Sequence, residues 1–354
     1  MTLAVGLWIG VVFAQPDGTI EWSADAPTLI CEAGVYGRMA RTVSGALVCV
    51  HEWHGDIWLS RLGADGWTLG AQVAAYEHGP AANPEIVVAP DGRLLCAYNE
   101  RPRDGVHPFA IAITSSSDDG HTWTAPRHVY RAGARWESGC WEPAMLATPS
   151  GEIQLFFANE HPYPDTREQE IALCRSLDGG ATWTPPTAVI FRSGHRDGMP
   201  VPLALRDDSG TVVAIEDDGI DGILKPSVVF SPDPANWSGA TVGGDSPHRW
   251  PALRDPLPAS TYAGAPYLRQ LLDGTTILSV QSDEITPGEP RMTVYVGDDR
   301  ARDFVDPTQP FDGPSRWNAL FVHADDTITA VSTTEIGGVA GLWAIDGRLR
   351  RRAD

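Results

Sequence analysis

Short apolar segments that end in a polar side chain recur along the chain and predict β-strands. Several of them follow a Gly-containing turn such as Pro90-Asp-Gly92. A shorter apolar strand precedes each segment and an outer hairpin follows it, so that six similar units emerge. The six segments are Ala46–Val50, Arg93–Tyr98, Ile153–Phe157, Thr211–Ile215, Thr276–Val280 and Thr327–Val331. This pattern predicts an all-β fold of six repeated sheets.

An eight-residue motif, Ser-x-Asp-x-Gly-x-Thr-Trp, occurs at Ser116–Trp123 and again at Ser176–Trp183. Each copy follows an alternating apolar run, so the motif predicts the turn that closes a hairpin. Asp118 and Asp178 suit the acceptor of the turn's own N–H groups, and the glycine tolerates a positive φ. We therefore predict a structural role for both aspartates.

The motif resembles the Asp box of the sialidase-like β-propellers. Degenerate copies stand at Ser60–Trp67, Ser231–Trp237 and Gly297–Phe304. The resemblance implies a six-bladed β-propeller with Asp-box hairpin turns, in which the boxes lie on the face away from the active site. The chain is accordingly divided into an N-terminal segment, 1–27, and a single propeller domain, 28–354.

Composition limits the partners. The formal net charge of −20 argues against nucleic acid and against an anionic membrane surface. The five cysteines lack metal-ligand spacing and imply no disulfide framework. His51-Glu-Trp-His54, the closest histidine pair, fits no zinc motif, so neither a metal nor a cofactor is predicted.

Residues 1–14 form an apolar stretch that ends in Val-Phe-Ala without a preceding Lys or Arg. A cleaved export signal and a first β-strand are both compatible with it. No other segment is long and apolar enough to span a membrane. A monomer is expected.

Polar residues follow the second strand of each unit and also occupy the start of each innermost strand. Because these two strands are antiparallel, both sets should meet at one mouth of the central channel. The first set is Glu52, Glu100, Glu160, Glu216, Gln281 with Asp283, and Glu335. The second set is Arg38, Asn83 with Glu85, Glu142, Arg196 with Asp197, Tyr267, and Trp317 with Asn318.

Glu142 is the strongest candidate for catalysis because Trp141 and an innermost strand should partly desolvate it and raise its pKa. Glu216 ends the second strand of the next unit and is the candidate partner. Two carboxylates that face each other across a groove are what glycoside hydrolysis requires.

Six short motifs occur in an order that resembles glycoside hydrolase family 93, from about residue 28 to the C-terminus. Tyr36-Gly-Arg38 resembles that family's aromatic-Pro-Arg motif, with Gly37 in place of proline. The six motifs are Trp141–Pro143, Gln169–Ile171, Arg196–Pro200, Ile215-Glu216, Gly264–Leu268 and Arg316–Phe321.

This resemblance implies a secreted, retaining exo-arabinanase that releases arabinobiose from α-1,5-linked L-arabinan. The two catalytic residues would be Glu142 and Glu216, with Glu142 favoured as nucleophile and the exchanged roles left open. The substrate-binding residues would be Arg38, Asn83, Trp141, Gln169, Arg196, Tyr267, Trp317 and Asn318.

Three alternatives stay open. A sialidase needs three arginines and a tyrosine, for which Arg38 or Arg41, Arg101, Arg196 and Tyr267 are candidates, although a strongly acidic chain suits an anionic substrate poorly. A polysaccharide lyase on the same fold is the second alternative. The third is a propeller that binds glycans without catalysis, since a fold alone does not assign chemistry.

Overall fold

Six antiparallel sheets form a ring in which the innermost strand of each sheet contacts that of the next, and the sixth contacts the first. The computed structural model describes residues 18–231, 237 and 241–352. Over that part of the chain the only helical element is a 3₁₀ turn at Trp136–Ser138, which is far too short to cross a membrane. The predicted six-bladed β-propeller is confirmed.

Strands run outward from the central axis in each of the first three sheets. Sheet one contains β3 (Val35–Arg41), β4 (Leu47–Trp53), β5 (Asp56–Gly63) and β6 (Gly66–Ala74). Sheet two contains β7 (Ala81–Val88), β8 (Leu94–Glu100), β9 (Ala110–Ser116) and β10 (Arg127–Arg131). Sheet three contains β11 (Cys140–Ala147), β12 (Ile153–Asn159), β13 (Glu170–Ser176) and β14 (Thr187–Ile190).

The remaining sheets repeat this order. Sheet four contains β15 (Asp197–Ala204), β16 (Thr211–Asp217), β17 (Lys225–Ser231) and β18 (Arg249–Pro251). Sheet five contains β19 (Ala263–Gln270), β20 (Thr276–Ser282), β21 (Arg291–Gly297) and β22 (Val305–Thr308). Sheet six contains β23 (Ser315–Val322), β24 (Ile328–Ile336) and β25 (Val339–Arg350), with β1 (Thr19–Trp22) and β2 (Thr28–Glu32) beside β25.

The ring is closed by N-terminal strands. Strand β2 pairs with Gly341–Ala344 of β25, and β1 pairs with Gly347–Arg350. The outer edge of the last sheet is thereby covered, which removes an exposed strand edge. Strand β1 lies inside the segment 1–27, whereas the alternatives predicted for residues 1–14 fall outside the described residues.

Second strands are apolar because neighbouring sheets cover both of their faces. All residues of β8, β12 and β20 are buried. Val48 and Leu59 of sheet one, for example, belong to the same apolar cluster as Leu94 and Tyr98 of sheet two. The six predicted apolar segments therefore correspond to the strands sandwiched between blades.

Each innermost strand has a one-residue bulge at the same register. The bulged residue has φ between 46° and 56° in all six blades, a conformation that is rare outside glycine. These residues are Tyr36, Asn83, Glu142, Met199, Ala265 and Trp317. Proline follows four of them, which suits a position where no ladder N–H is needed.

In five blades the N–H of the bulged residue donates to a side chain on the second strand of the preceding blade. In the remaining blade the Met199 N–H lowers the pKa of Glu142, which belongs to the preceding blade. The other pairs are Tyr36 to Thr333 (3.3 Å), Asn83 to Glu52 (2.7 Å), Glu142 to Asn99 (3.0 Å), Ala265 to Glu216 (3.0 Å) and Trp317 to Gln281 (3.0 Å). Neighbouring blades are thus tied together around the channel mouth.

Both complete Asp boxes are hairpin turns between the third and fourth strands, as predicted. The Thr122 N–H and hydroxyl donate to Asp118 at 2.9 and 2.6 Å, and the Gly120 N–H donates to Ser116 Oγ at 2.8 Å. The degenerate box at Gly297–Phe304 has a similar turn, in which Asp298 accepts two backbone N–H groups. Ser60 instead hydrogen-bonds His51, and most of Ser231–Trp237 lies outside the described residues.

We expect Ser116→Ala and Ser176→Ala each to lower the free energy of unfolding by about 1 kcal/mol, since each deletes a hydroxyl that a buried glycine N–H requires. The double variant should lose the sum, because the two boxes lie in different blades. Denaturant unfolding measures both effects. Ser117→Ala, at an exposed neighbour, is the matched control and should leave stability unchanged.

Candidate active site

One mouth of the channel opens into a cavity of about 280 Å³. Bulged residues from four blades contribute to its wall, together with polar ends of second strands. Its lining is Val35, Tyr36, Glu52, Asn83, Arg101, Trp136, Trp141, Glu142, Glu160, Gln169, Arg196, Glu216 and Trp317.

Both predicted catalytic glutamates and five of the eight predicted substrate-binding residues lie in this lining. The five are Asn83, Trp141, Gln169, Arg196 and Trp317. Arg38, Tyr267 and Asn318 are only 3, 2 and 2% exposed and are absent from the wall. Arg38 lies deeper in the channel, where it forms an ion pair with Glu85 and stacks on Tyr36 and Tyr267.

These three residues follow a bulged residue by one or two positions and are buried. Arg38 and Tyr267 come two residues after Tyr36 and Ala265, and neither side chain reaches the cavity wall. Asn318 directly follows Trp317 and bonds the Ser332 hydroxyl at 2.8 Å. The structure therefore gives Arg38, Tyr267 and Asn318 contacts within the protein rather than with the cavity.

Glu142 reaches the cavity because it is itself a bulged residue. Its φ of 50° and the bond from its N–H to Asn99 fix the backbone at the mouth. Gly139 precedes it and lets the Trp141 ring pack closely, since a Cβ there would lie 2.4 Å from Trp141 Cζ2. Trp141 in turn covers the strand that carries the carboxylate.

Glu216 enters from the adjacent blade and fits between two glycines. A Cβ at Gly198 would lie 2.8 Å from Glu216 Oε1, and one at Gly264 would lie 2.8 Å from Oε2. Oε2 accepts the Ala265 N–H, so Oε1 is the oxygen left for other contacts. Both glycines are therefore required by the position of this carboxylate.

The two glutamates influence each other's protonation. Burial and then the charge of Glu216 raise the pKa of Glu142 to about 7, against the opposing effects of Arg101 and the Met199 N–H. Burial also raises the pKa of Glu216, but the Ala265 N–H and Arg196 counteract it. Two buried carboxylates at close range favour a state in which one of them carries a proton.

Two arginines lie opposite four carboxylates in this cavity. Arg196 pairs with Glu160, whose carboxylate also accepts from the amide of Gln169. Arg101 donates to Asn83 Oδ1 and lies 5.2 Å over the Trp141 ring. Both guanidinium groups therefore already have partners within the protein. With Glu52 and Glu216, the wall contains four glutamates against two arginines, so its formal charge is negative.

Aromatic rings flank the carboxylates on two sides. Trp136 and Trp141 lie 4.4 Å apart between ring centroids, and Trp136 is 60% exposed. Across the mouth, Tyr36 and Trp317 lie 5.9 Å apart. Such faces suit the apolar side of a sugar ring, and Trp136 is the one most accessible from solvent.

Sequence reasoning assigned no substrate role to several residues that the fold brings here. Glu52 and Glu160 were predicted only as polar ends of second strands, Arg101 only as a candidate arginine of a sialidase, and Trp136 had no predicted role. Tyr262 was not considered at all, yet a Cβ at Gly264 would lie 2.5 Å from its hydroxyl and 2.8 Å from Glu216. Its only sequence signal is its position two residues before a glycine that accommodates a carboxylate.

Only some of the polar residues that were predicted to converge at the strand ends lie at the channel mouth. Glu100 instead pairs with His128 at 2.6 Å, Gln281 accepts the Trp317 N–H, and Glu335 is exposed. No histidine or cysteine contributes to the described wall of the cavity. The arrangement therefore provides carboxylates, guanidinium groups and aromatic faces for chemistry.

Comparison with known proteins gives both a local and a global match. Residues 92–214 match the model of the BNR repeat-like domain. A sialidase from Micromonospora viridifaciens is 32% identical over 120 residues, which are 29% of this chain and only 18% of that protein. The sequence similarity thus covers a small part of the relative.

Solved structures match over nearly the whole chain at low identity. The GH93 α-L-arabinofuranosidase of Fusarium graminearum with arabinobiose has a TM-score of 0.67 and 16% identity, over 95% of this chain and 98% of that one. The Penicillium chrysogenum α-L-arabinanase with arabinobiose has a TM-score of 0.67 and 18% identity over the same shares. The chain is therefore a six-bladed β-propeller of the sialidase-like fold, and its residues 92–214 are similar to the BNR repeat-like domain.

Proposed function

We propose that this protein is a retaining glycoside hydrolase that acts on the ends of α-1,5-L-arabinan and releases arabinobiose. The observation that carries the proposal is the pair Glu142 and Glu216, which enter one cavity from adjacent blades and both have raised pKa values. The match in fold to an α-L-arabinofuranosidase and an α-L-arabinanase, both solved with arabinobiose, supports the choice of substrate. Since polymeric arabinan lies outside the cell, we include secretion in the proposal.

Glu142 serves as the acid/base and Glu216 as the nucleophile, which exchanges the roles that the sequence favoured. This assignment is based on the pKa of Glu142, which burial and the charge of Glu216 raise to about 7, and on the Ala265 N–H and Arg196, which stabilise the Glu216 anion. A protonated Glu142 donates to the leaving oxygen, and ionised Glu216 attacks the anomeric carbon through Oε1. Water then enters with Glu142 as base and releases the sugar from Glu216.

Retention is part of the proposal because both glutamates line one cavity and the charge of Glu216 raises the pKa of Glu142. Retaining enzymes hold their carboxyl groups about 5 Å apart, whereas inverting enzymes leave about 6.5–9.5 Å for a water molecule. The configuration of the first-formed product distinguishes these two cases.

The charges of the wall favour a neutral sugar over a sialic acid. A sialidase clamps the substrate carboxylate with three arginines, but here Arg196 is paired with Glu160 and Arg38 is buried with Glu85. With Glu142 protonated, the other three glutamates of the cavity still outnumber its two arginines, which disfavours an anionic substrate. Sialosides are therefore the comparison substrates rather than a second proposal.

Release of arabinobiose from debranched arabinan tests the function. We expect Glu142→Gln and Glu216→Gln each to lower kcat by about 10²–10⁴-fold, because each removes a proton-transfer or nucleophilic group. The exposed Glu335→Gln variant is the control and should keep full activity, and thermal melting verifies that all variants fold. Unchanged activity in either catalytic variant, or faster cleavage of a sialoside, would refute the proposal.

The configuration of the first-formed product tests the role of Glu216. Proton NMR of the nascent sugar should show the anomeric configuration of the substrate, because two displacements at one carbon restore it. Azide added to Glu216→Gln should yield a glycosyl azide of inverted configuration. An inverted product from the wild type would contradict a nucleophilic Glu216.

The pH profile of kcat/KM tests the role of Glu142. Activity should fall above about pH 7, where Glu142 loses the proton that it must donate. Arg101→Met removes a charge that lowers this pKa and should move the alkaline limb upward by on the order of half a pH unit, or about 0.7 kcal/mol. Glu160→Gln removes a charge that raises it and should move the limb downward, and shifts in one common direction would contradict the assignment.

A further inference from the structure

Two histidines and one aspartate meet at the rim of the mouth, outside the cavity wall. Asp104 Oδ2 lies 2.6 Å from His107 Nδ1 and 3.8 Å from His78 Nδ1. One ligand atom from each residue lies within 4.8 Å of the other two, and no other such group of three occurs among the described residues. His78 precedes β7, whereas Asp104 and His107 belong to the β8–β9 loop, so the fold brings two separate segments together.

The aspartate is held in position by its own loop. Its Oδ1 accepts the N–H groups of Val106 and His107, both at 2.9 Å, which leaves Oδ2 directed at the imidazoles. Gly105 permits this tight turn with a φ of 68°. A carboxylate fixed by two backbone bonds is a positioned ligand rather than a freely rotating surface group.

The donor set selects the metal. Two imidazole nitrogens and one carboxylate oxygen suit Zn²⁺, which binds them at about 2.0–2.2 Å and completes a tetrahedron with water. Mg²⁺ and Ca²⁺ prefer oxygen ligands throughout. The three side chains are between 33 and 42% exposed, so an ion can reach them and they can adjust.

We propose that His78, Asp104 and His107 bind one Zn²⁺ ion that clamps the segment before β7 to the β8–β9 loop. The two rings now stack with centroids 3.5 Å apart, and binding requires each ring to turn so that its lone pair faces the ion. The Arg103 N–H already donates to the His78 carbonyl at 3.0 Å, so the segments need no large movement.

The clamp would stabilise the loop that carries Arg101 into the cavity. The Arg101 N–H donates to the Pro80 carbonyl at 3.0 Å, and its guanidinium lies over Trp141. The ion holds this rim and takes no part in bond cleavage. The proposal therefore stands or falls independently of the glycosidase activity.

Calorimetric titration of the chelator-treated chain with ZnCl₂ tests the site. We expect one ion per chain, a higher melting temperature with Zn²⁺, and no change with Mg²⁺ or Ca²⁺ at equal concentration. His78→Ala, His107→Ala and Asp104→Asn should each weaken Zn²⁺ binding by at least about tenfold, since loss of even an outer-shell partner costs about 10–100-fold.

His121→Ala, at an exposed histidine in an Asp-box turn, is the matched control and should bind Zn²⁺ as the wild type does. Melting curves recorded with chelator verify that every variant is folded before titration. Absence of stoichiometric uptake by the wild type would overturn the proposal. If the three ligand variants bound Zn²⁺ as tightly as the wild type, the proposal would be overturned as well, because the ion would then lie elsewhere.

Discussion

The bond from the N–H of a left-handed bulge residue to a side chain of the preceding blade is the interaction on which the rest of the molecule depends. A bulge leaves one backbone donor without a ladder partner, and at a channel wall that donor needs another acceptor. The neighbouring blade supplies it at five of the six positions, and at the sixth the Met199 N–H interacts electrostatically with Glu142 of the preceding blade. One local irregularity thus fixes the position of each blade relative to the next.

The candidate catalytic residues are members of this same ring of bonds. Glu216 occupies the acceptor position that Glu52, Asn99 and Gln281 occupy elsewhere, and Glu142 is itself a bulged donor. Backbone N–H groups of the next blade lower the pKa of both carboxylates, the Met199 N–H that of Glu142 and the Ala265 N–H that of Glu216. The packing of the blades therefore contributes to the electrostatics of the pair.

Charge is organised in two layers along the channel. At the mouth, four glutamates and two arginines leave a negative surface for a neutral ligand. Below it, Arg38 is enclosed by Glu85, Tyr36 and Tyr267, so a buried cation is matched by an anion and by aromatic faces. The lower layer supports Tyr36, which forms part of the wall above it.

The sequence by itself determined the strand pattern, the Asp boxes and the identity of the two glutamates that meet in the cavity. Apolar runs such as Arg93–Tyr98 predict buried strands because blades cover both faces, and Asp118 predicts its turn because the turn is local. The sequence also contained a signal of the bulges, namely the proline that follows each of Asn83, Glu142, Met199 and Ala265.

Only the tertiary structure decided which side chains reach the mouth. A bulge shifts the register of its strand by one residue. Asn83 is part of the cavity wall, whereas Arg38 and Tyr267 are not. The pattern expected of a regular strand does not reveal this difference. Gly264 places Tyr262 and Glu216 near each other, and the ion pair of His78 with Asp104 likewise joins separate segments of the chain. Such pairs depend on how strands are arranged in space, and neither periodicity nor spacing along the chain records that arrangement.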